Sequence, residues 1–371
     1  MLSQVEVKPV CEYRGSSMFS WNGTCPESAD GRRVCYTRVE SPGTDAAELH
    51  PAELWICEIH SVDGRTAFEA HRRVFDLSFR AVGYKHNGSM ASWVDDRTVV
   101  FRHDAVDGAA AEAERELICV IDGDTGSMVH GPISGSLGHY ACRGKIPFSV
   151  DENDLPFNSA YRAIEKPGIY ELKLATGAIR SVISTDDIVT FIAAQGFTPT
   201  DRSRRIMHVM YNPSATRVMV RIDVEECETL VSTDAQGGDP VLTPNKPLHQ
   251  LWYDDETYVA VDRHDTGNIF RYARDGEKLE LLAGRGNHIA ASPDRLWYVT
   301  DNFYRQSPVV VQVFEKGTLD PAHVLDENPN DYPIWKLLAH ANPVFSRDGR
   351  GVYFVRASQD SRVEAVYARL G

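Results

Sequence analysis

Six stretches of the chain repeat one plan. A polar turn built on Asp, Gly, Ser or Pro leads into a strand in which apolar and polar residues alternate, and the strand ends in a charged residue. The stretches are SADGRRVCYTR (28–38), VDDRTVVFRHD (94–104), NPSATRVMVRID (212–223), YDDETYVAVDR (253–263), SPDRLWYVTD (292–301) and SRDGRGVYFVR (346–356). Alternation at period two beside such turns is the pattern of a β-hairpin. Residues 169–183 and 269–283 add second hairpins around Thr-Gly and Asp-Gly turns, and GKIPFSVDENDLPF (144–157) supplies a seventh unit with an irregular turn. Seven units in 371 residues average about 53 each, slightly above the roughly 40–50 of common propeller repeats. Helical periodicity is nearly absent. The stretch 109–117 has helix-forming composition but sits between strands, so a loop or one helical turn is expected there. The pattern predicts an all-β chain, a seven-bladed β-propeller forming a single domain over 1–371, because radial repetition of four-stranded sheets buries both faces of each blade. Residues 5–10 (VEVKPV) alternate correctly to complete the last blade beside 363–369. Two stacked β-sandwiches are the alternative architecture, and no linker-like tract divides the chain.

Composition narrows the function. Hydrophobic residues are 42% and charged residues 25%, the balance of a chain that buries a sizeable core. Lys and Arg number 39 against 53 Asp and Glu, a net charge of −14. A surface of that sign repels phosphate backbones, so nucleic acid is excluded as the expected partner. No apolar run approaches the roughly 20 residues of a membrane span, and MLSQVEVKPV lacks the pattern of a secretory signal. A cytoplasmic location is the expectation. The seven Cys show no C-x-x-C spacing and are odd in number, which points to reduced thiols, mostly buried, rather than a zinc site or a disulfide framework. Without a secretory signal the sequons at Asn22 and Asn87 carry no weight.

In a propeller the first strand of each blade lines the central channel. Five residues before the second turn residue stand His208, His249 and His288 in three consecutive units, and Asn342 in the next, with His340 two residues earlier on the same strand face. The same count gives Thr24, Met90 and Ile146 in the first three units. A chain with 13 His thus places His or Asn at one level of four neighbouring blades, and convergent titratable groups mark sites. The plainer reading of each is a core His bonded to a carbonyl. His86 and Asn87 precede the second blade's inner strand and could reach the same mouth, and His139-Tyr140 lies in a loop before the third. Trp252 and Trp297 could be sugar platforms, or ordinary packing. Arg221, Arg263 and Arg305 could grip a carboxylate through a bidentate fork, or be solvated strand-end charges. G-x-S-x-G, P-loop and H-E-x-x-H motifs are missing, which argues against serine hydrolase, nucleotide and zinc-protease chemistry.

At the segments beginning His208-Val-Met-Tyr, His249-Gln-Leu-Trp, Asn287-His288-Ile-Ala and His340-Ala-Asn-Pro the chain resembles the oligogalacturonate lyase-like propellers, a broad group related to the repeats of TolB. The resemblance covers the chain loosely and its C-terminal half best. In that family three His and one Gln hold a manganese ion that binds the substrate carboxylate. The resemblance therefore implies metal positions at His288, His340 and Asn342, and a divalent metal, manganese first, as candidate cofactor. The family's Gln-x-x-His-x-His reads here as Leu337-x-x-His340-x-Asn342, so Leu replaces Gln and Asn replaces the second His. His208 and His249 resemble the pattern of relatives associated with other uronate-containing glycans.

Together these features predict a lyase that cleaves a small acidic, uronate-containing oligosaccharide at the channel mouth. β-Elimination removes the proton at C5 of a uronate, and it needs positive charge or strong donors at the carboxylate, a base near C5 and an acid for the leaving oxygen. Imidazole titrates near neutral pH, so His208 and His249 are the candidate acid and base. Arg221, Arg263, Trp252, His86 and Asn87 are the candidate substrate contacts. The alternatives are a non-catalytic glycan- or protein-binding propeller and, below it, a propeller glycoside hydrolase, which would want two carboxylates across the scissile bond.

Overall fold

Seven antiparallel four-stranded sheets follow one another along the chain. The computed structural model describes residues 5–21, 23–40, 49–62, 65–80, 88–105, 115–224, 227–243, 248–262, 265–302, 308–328, 340–357 and 362–370. Blade one comprises Ser16–Met18, Arg33–Val39, Leu49–Val62 and Arg65–Arg80, and blade two Ser92–Trp93, Thr98–Ala105, Arg115–Asp122 and Met128–Ser134. Blade three is Ser136–Leu137, Lys145–Val150, Gly168–Lys173 and Ala178–Ser184. Blade four is Met207–Tyr211, Arg217–Val224, Cys227–Asp234 and Val241–Thr243, and blade five Leu248–Trp252, Thr257–Val261, Ile269–Ala273 and Lys278–Ala283. Blade six is Ile289–Ala291, Trp297–Asp301, Val309–Glu315 and His323–Asn328. Blade seven takes three strands from the chain's far end, Val344–Phe345, Gly351–Ala357 and Val363–Arg369, and its outer strand from Val7–Pro9. The propeller and its closure follow the pattern of the sequence.

The turns that reveal the repeats also hold the first two strands together. The Asp95 carboxylate accepts the backbone N–H groups of Arg97 and Thr98 at 2.8 and 2.6 Å, and Asp254 does the same for Glu256 and Thr257 at 2.9 and 2.7 Å. Such Asx turns satisfy backbone donors that a tight reversal would otherwise leave to solvent. Beyond each turn the second strand drives apolar side chains between blades: Tyr258, Tyr298 and Tyr353 are all 0% exposed.

The ring closes at a seam between the chain's two ends. Val7 pairs with Ala368, Lys8 with Tyr367 and Pro9 with Val366. Pro9 is tolerated because the strand is an edge, where no further ladder needs its missing N–H. Across the neighbouring joint, Arg347 donates its backbone N–H to the Glu27 carboxylate at 2.7 Å and its guanidinium to the Glu27 carbonyl, while the Tyr353 hydroxyl donates to the same carboxylate at 2.7 Å.

Two local departures from the sequence reading stand out. Residues 185–194 form an α-helix between blades three and four (Thr185–Ala194), which the near-absence of helical periodicity did not predict. Its start is written in Ser-Thr-Asp-Asp: Ser184 caps the helix by accepting the N–H of Asp187, acidic residues fill the first turn, and Ile188 and Ile192 face the core. The stretch 109–117 ends in a strand rather than a helical turn, since Arg115–Asp122 is the third strand of blade two, and 109–114 lie outside the described residues. No helix among the described residues is long and apolar enough to cross a membrane.

Candidate functional site

The inner strands of blades four and five each begin with a bulge. In blade four Met207 faces Arg221 and Met210 faces Met219, so His208 and Val209 together oppose a single residue. In blade five Leu248 faces Val261 and Leu251 faces Val259, leaving His249 and Gln250 in the same position. Both His are left-handed, with φ of 54° and 53°, and Met90 and Asn342 repeat that conformation at the matching places in blades two and seven, at 48° and 46°. A bulge re-aims a side chain that a regular strand would point elsewhere. Here it turns two imidazoles into the head of the channel.

There they join an arc. Ring centroids lie 4.7 Å apart for His139 and His208, 4.4 Å for His249 and His288, and 4.6 Å for His288 and His340. Trp21 fills the middle, with its ring 5.3, 4.9, 6.2 and 5.6 Å from those of His139, His208, His249 and His288. Trp21 reaches this place because the inner strand of blade one is interrupted after Ser16–Met18 and resumes only as a bridge from Glu27 to Val34. Trp21 is buried, as are His139, His288, His340 and Asn342, whereas His208 and His249 are half-buried and reach solvent.

Hydrogen bonds fix this arc. The Asp301 carboxylate contacts the Nδ1 of His288 at 2.8 and 3.0 Å and accepts the backbone N–H of His288 at 2.9 Å and of Asn342 at 3.2 Å. His340 Nδ1 lies 3.0 Å from His288 Nε2. His249 Nδ1 lies 2.9 Å from the Asn287 carbonyl. A carbonyl only accepts, so this Nδ1 carries the proton and, in the neutral ring, Nε2 holds the lone pair. Burial, reinforced by the charge of Arg221, pushes the His139 imidazole down to about 3, so it stays neutral at ordinary pH.

Sequence reasoning named His208, His249, His288, His340 and Asn342, and the structure brings them together. It missed Trp21 and Asp301. The signal for Asp301 was the charged residue closing the strand 292–301; nothing local marks Trp21. His139 lies in a loop, as the sequence predicts, but between the first two strands of blade three rather than before that blade, and its ring joins the arc. Ile146, which the count before the turn puts at the same level, lies instead on the second strand of blade three and sits with Met90 in the core between blades two and three. Thr24 does reach the arc, donating its hydroxyl to the His139 carbonyl at 2.6 Å.

Among the proposed substrate contacts, Arg221 lies across the ladder from Met207, and its charge acts on His139. Trp252 does not belong to this mouth. It stands three residues beyond His249, roughly 10 Å along an extended strand, buried with its indole N–H donating to the Met210 carbonyl at 3.3 Å. With Tyr140, Leu251, Phe345 and Arg347 it lines a separate cavity of about 350 Å³ at the other end of the inner strands. Trp297 packs against the main core. His86, Asn87, Arg263 and Arg305 lie outside the described residues.

The residues do not fit a resident divalent metal. Among the described residues no group of three or more His, Cys, Asp or Glu is arranged to hold one. Two imidazole nitrogens approach each other, but they are spent on a mutual hydrogen bond, and Asp301 spends its oxygens on N–H donors. Leu337, at the position where the resembling family carries Gln, has no donor atom. Against the resembling family, the set therefore lacks one donor at Leu337 and carries an amide in place of an imidazole at Asn342.

No protein-family model matches the chain, and no curated protein does. Solved structures do match in fold. An oligogalacturonate lyase in complex with manganese has a TM-score of 0.61 at 13% identity, covering 99% of this chain and 93% of that one. An oligogalacturonate lyase from Vibrio parahaemolyticus has 0.60 at 11% identity, covering 100% and 94%. A prolyl endopeptidase has 0.56 at 10% identity, covering 95% of this chain and 47% of the endopeptidase. The resemblance read from the sequence thus holds at the level of fold, and at that level it is shared with peptidase propellers.

Proposed function

We propose that the head of the channel is the active site of a lyase that cleaves a small uronate-containing oligosaccharide by β-elimination. The observation that carries this reading is the pair His208 and His249, aimed by matching bulges so that they reach solvent while His139, His288 and His340 are buried. Fold likeness to two oligogalacturonate lyases over nearly the whole of both chains supports it.

In this reading the His249 Nε2 lone pair takes the C5 proton. Its Nδ1–H, held on the Asn287 carbonyl, fixes which nitrogen is basic. His208, protonated, gives its proton to the departing glycosidic oxygen. Arg221 supplies positive charge that lowers the cost of the carbanion-like state developing beside the uronate carboxylate. The C4–O bond breaks as the C4–C5 double bond forms, and the two protons are accounted for. His139 stays neutral and leaves the positive charge to Arg221. The metal suggested by the resemblance has no part in these steps, because the donor set does not fit it.

The test is incubation with galacturonate-, glucuronate- and mannuronate-containing oligosaccharides, followed in the ultraviolet for a C4–C5 unsaturated product. His208→Ala and His249→Ala are each expected to lower turnover by about two to four orders of magnitude with an unchanged circular dichroism spectrum. Chelation is expected to leave turnover unchanged. Binding without unsaturated product from any of these glycans, or His variants that lose activity only by unfolding, would move the protein to the binding-propeller class. Trp21 filling the arc favours that second reading, since a plugged channel suits a scaffold whose His tie blades together.

A further inference from the structure

Asp301 closes the second strand of blade six and is 2% exposed. A buried carboxylate is costly unless its oxygens are satisfied. Three N–H groups satisfy this one: the backbone N–H of His288 at 2.9 Å, the His288 Nδ1 at 2.8 Å and the backbone N–H of Asn342 at 3.2 Å. One side chain therefore grips the segment heading its own blade's inner strand and the corresponding segment of blade seven. A carboxylate accepts only, so His288 is protonated on Nδ1, and in the neutral ring Nε2 must accept. His340 Nδ1, 3.0 Å away, is the donor.

The ring held in this way is the wall behind His249, 4.4 Å from it between centroids. The residue before it, Asn287, provides the carbonyl that orients the His249 Nδ1–H at 2.9 Å, and its own N–H donates to the Asp301 carbonyl at 2.6 Å. The Asp301 carboxylate thus holds the Nδ1 of His288, and its main-chain carbonyl holds Asn287, whose own carbonyl orients His249.

We propose that Asp301 is a positioning residue: it fixes the tautomer of His288 and, through His288 and Asn287, the aim of the His249 Nε2 at the channel mouth. The kinetic consequence rests on the lyase reading above; the tautomer consequence does not. Asp301 would do here by hydrogen bonds what carboxylates behind metal-bound imidazoles do elsewhere, which is to choose the nitrogen that faces the reaction.

The experiment is nitrogen NMR of protein labelled with ring-¹⁵N histidine, with His288 and His249 signals assigned from His288→Gln and His249→Gln. In the wild type, His288 is expected to be protonated on Nδ1. In Asp301→Asn, the ring signals of both His288 and His249 are expected to move while that of His208 stays. Turnover of the unsaturated product should fall about 10- to 100-fold, the usual effect of losing such a partner, with KM within about twofold. A wild-type His288 protonated on Nε2 overturns the proposal, and so does a His249 signal that Asp301→Asn leaves in place. Should Asp301→Asn fail to fold, the wild-type tautomer decides alone. The expected signal shifts in a protein that yields no unsaturated product with any uronate glycan would sustain the positioning role and defeat only the lyase reading.

Discussion

At the scale of the residue, His139 ties the site to pH. Its folded value, about 3, lies far below the ordinary imidazole value of 6.5, chiefly through burial and then through Arg221. The unfolded chain therefore binds this proton first. Stability from His139 is complete above about pH 6.5 and is lost as pH falls toward 3, at up to about 1.4 kcal/mol per pH unit. Denaturant titrations at pH 7 and pH 4.5 should show His139→Gln losing less stability on acidification than the wild type; parallel losses would mean another group carries the effect. His208, His249 and His288 were legible because each sits at a fixed count before an Asp- or Pro-bearing turn. Asp301 was harder, since its role depends on a partner in the next blade, and no local pattern states which strand-end acid turns inward.

At the scale of the element, the irregularities carry the His arc. The regular hairpins were readable from alternation and turn residues, whereas the break in blade one's inner strand was not, because the loop is held by contacts from blades three to six. Trp21 is 2% exposed and touches four His rings. Trp21→Ala should therefore cost about 3–5 kcal/mol, as large buried aromatics do, read as a lower denaturant midpoint. A loss under about 1 kcal/mol would show that the channel closes over the gap. The inner strand of blade three, Ser136–Leu137, escaped the count because the turn after it, Ala141-Cys142-Arg143-Gly144, lacks the Asp or Pro that marks the other turns.

At the scale of the whole molecule, closure is the longest-range feature and yet was legible, because 5–10 alternate like a strand with no neighbour in sequence to pair with. The contents of the channel were not, since they are set by segments from six blades meeting at one axis. Removing residues 1–10 would uncover the outer edge of Val363–Arg369, which Val7–Pro9 now covers. Unpaired edges recruit other chains. The truncated protein should melt at a lower temperature and elute as larger species in size-exclusion chromatography. A truncated form that stays monomeric with an unchanged melting temperature would show that the seam contributes little.

The left-handed residues at the strand heads set stability against the placing of the imidazoles. A residue with a Cβ in that conformation carries roughly 1–2 kcal/mol of strain, which glycine escapes and asparagine partly escapes. Met90 bears the same backbone as His208 and His249, so the strain belongs to the architecture and not to the imidazoles. Selection for heat resistance alone would drift these positions toward glycine or asparagine, and each step would remove an imidazole from the mouth. A thermostable descendant that kept His208 and His249 would therefore have to find its gains elsewhere in the ring.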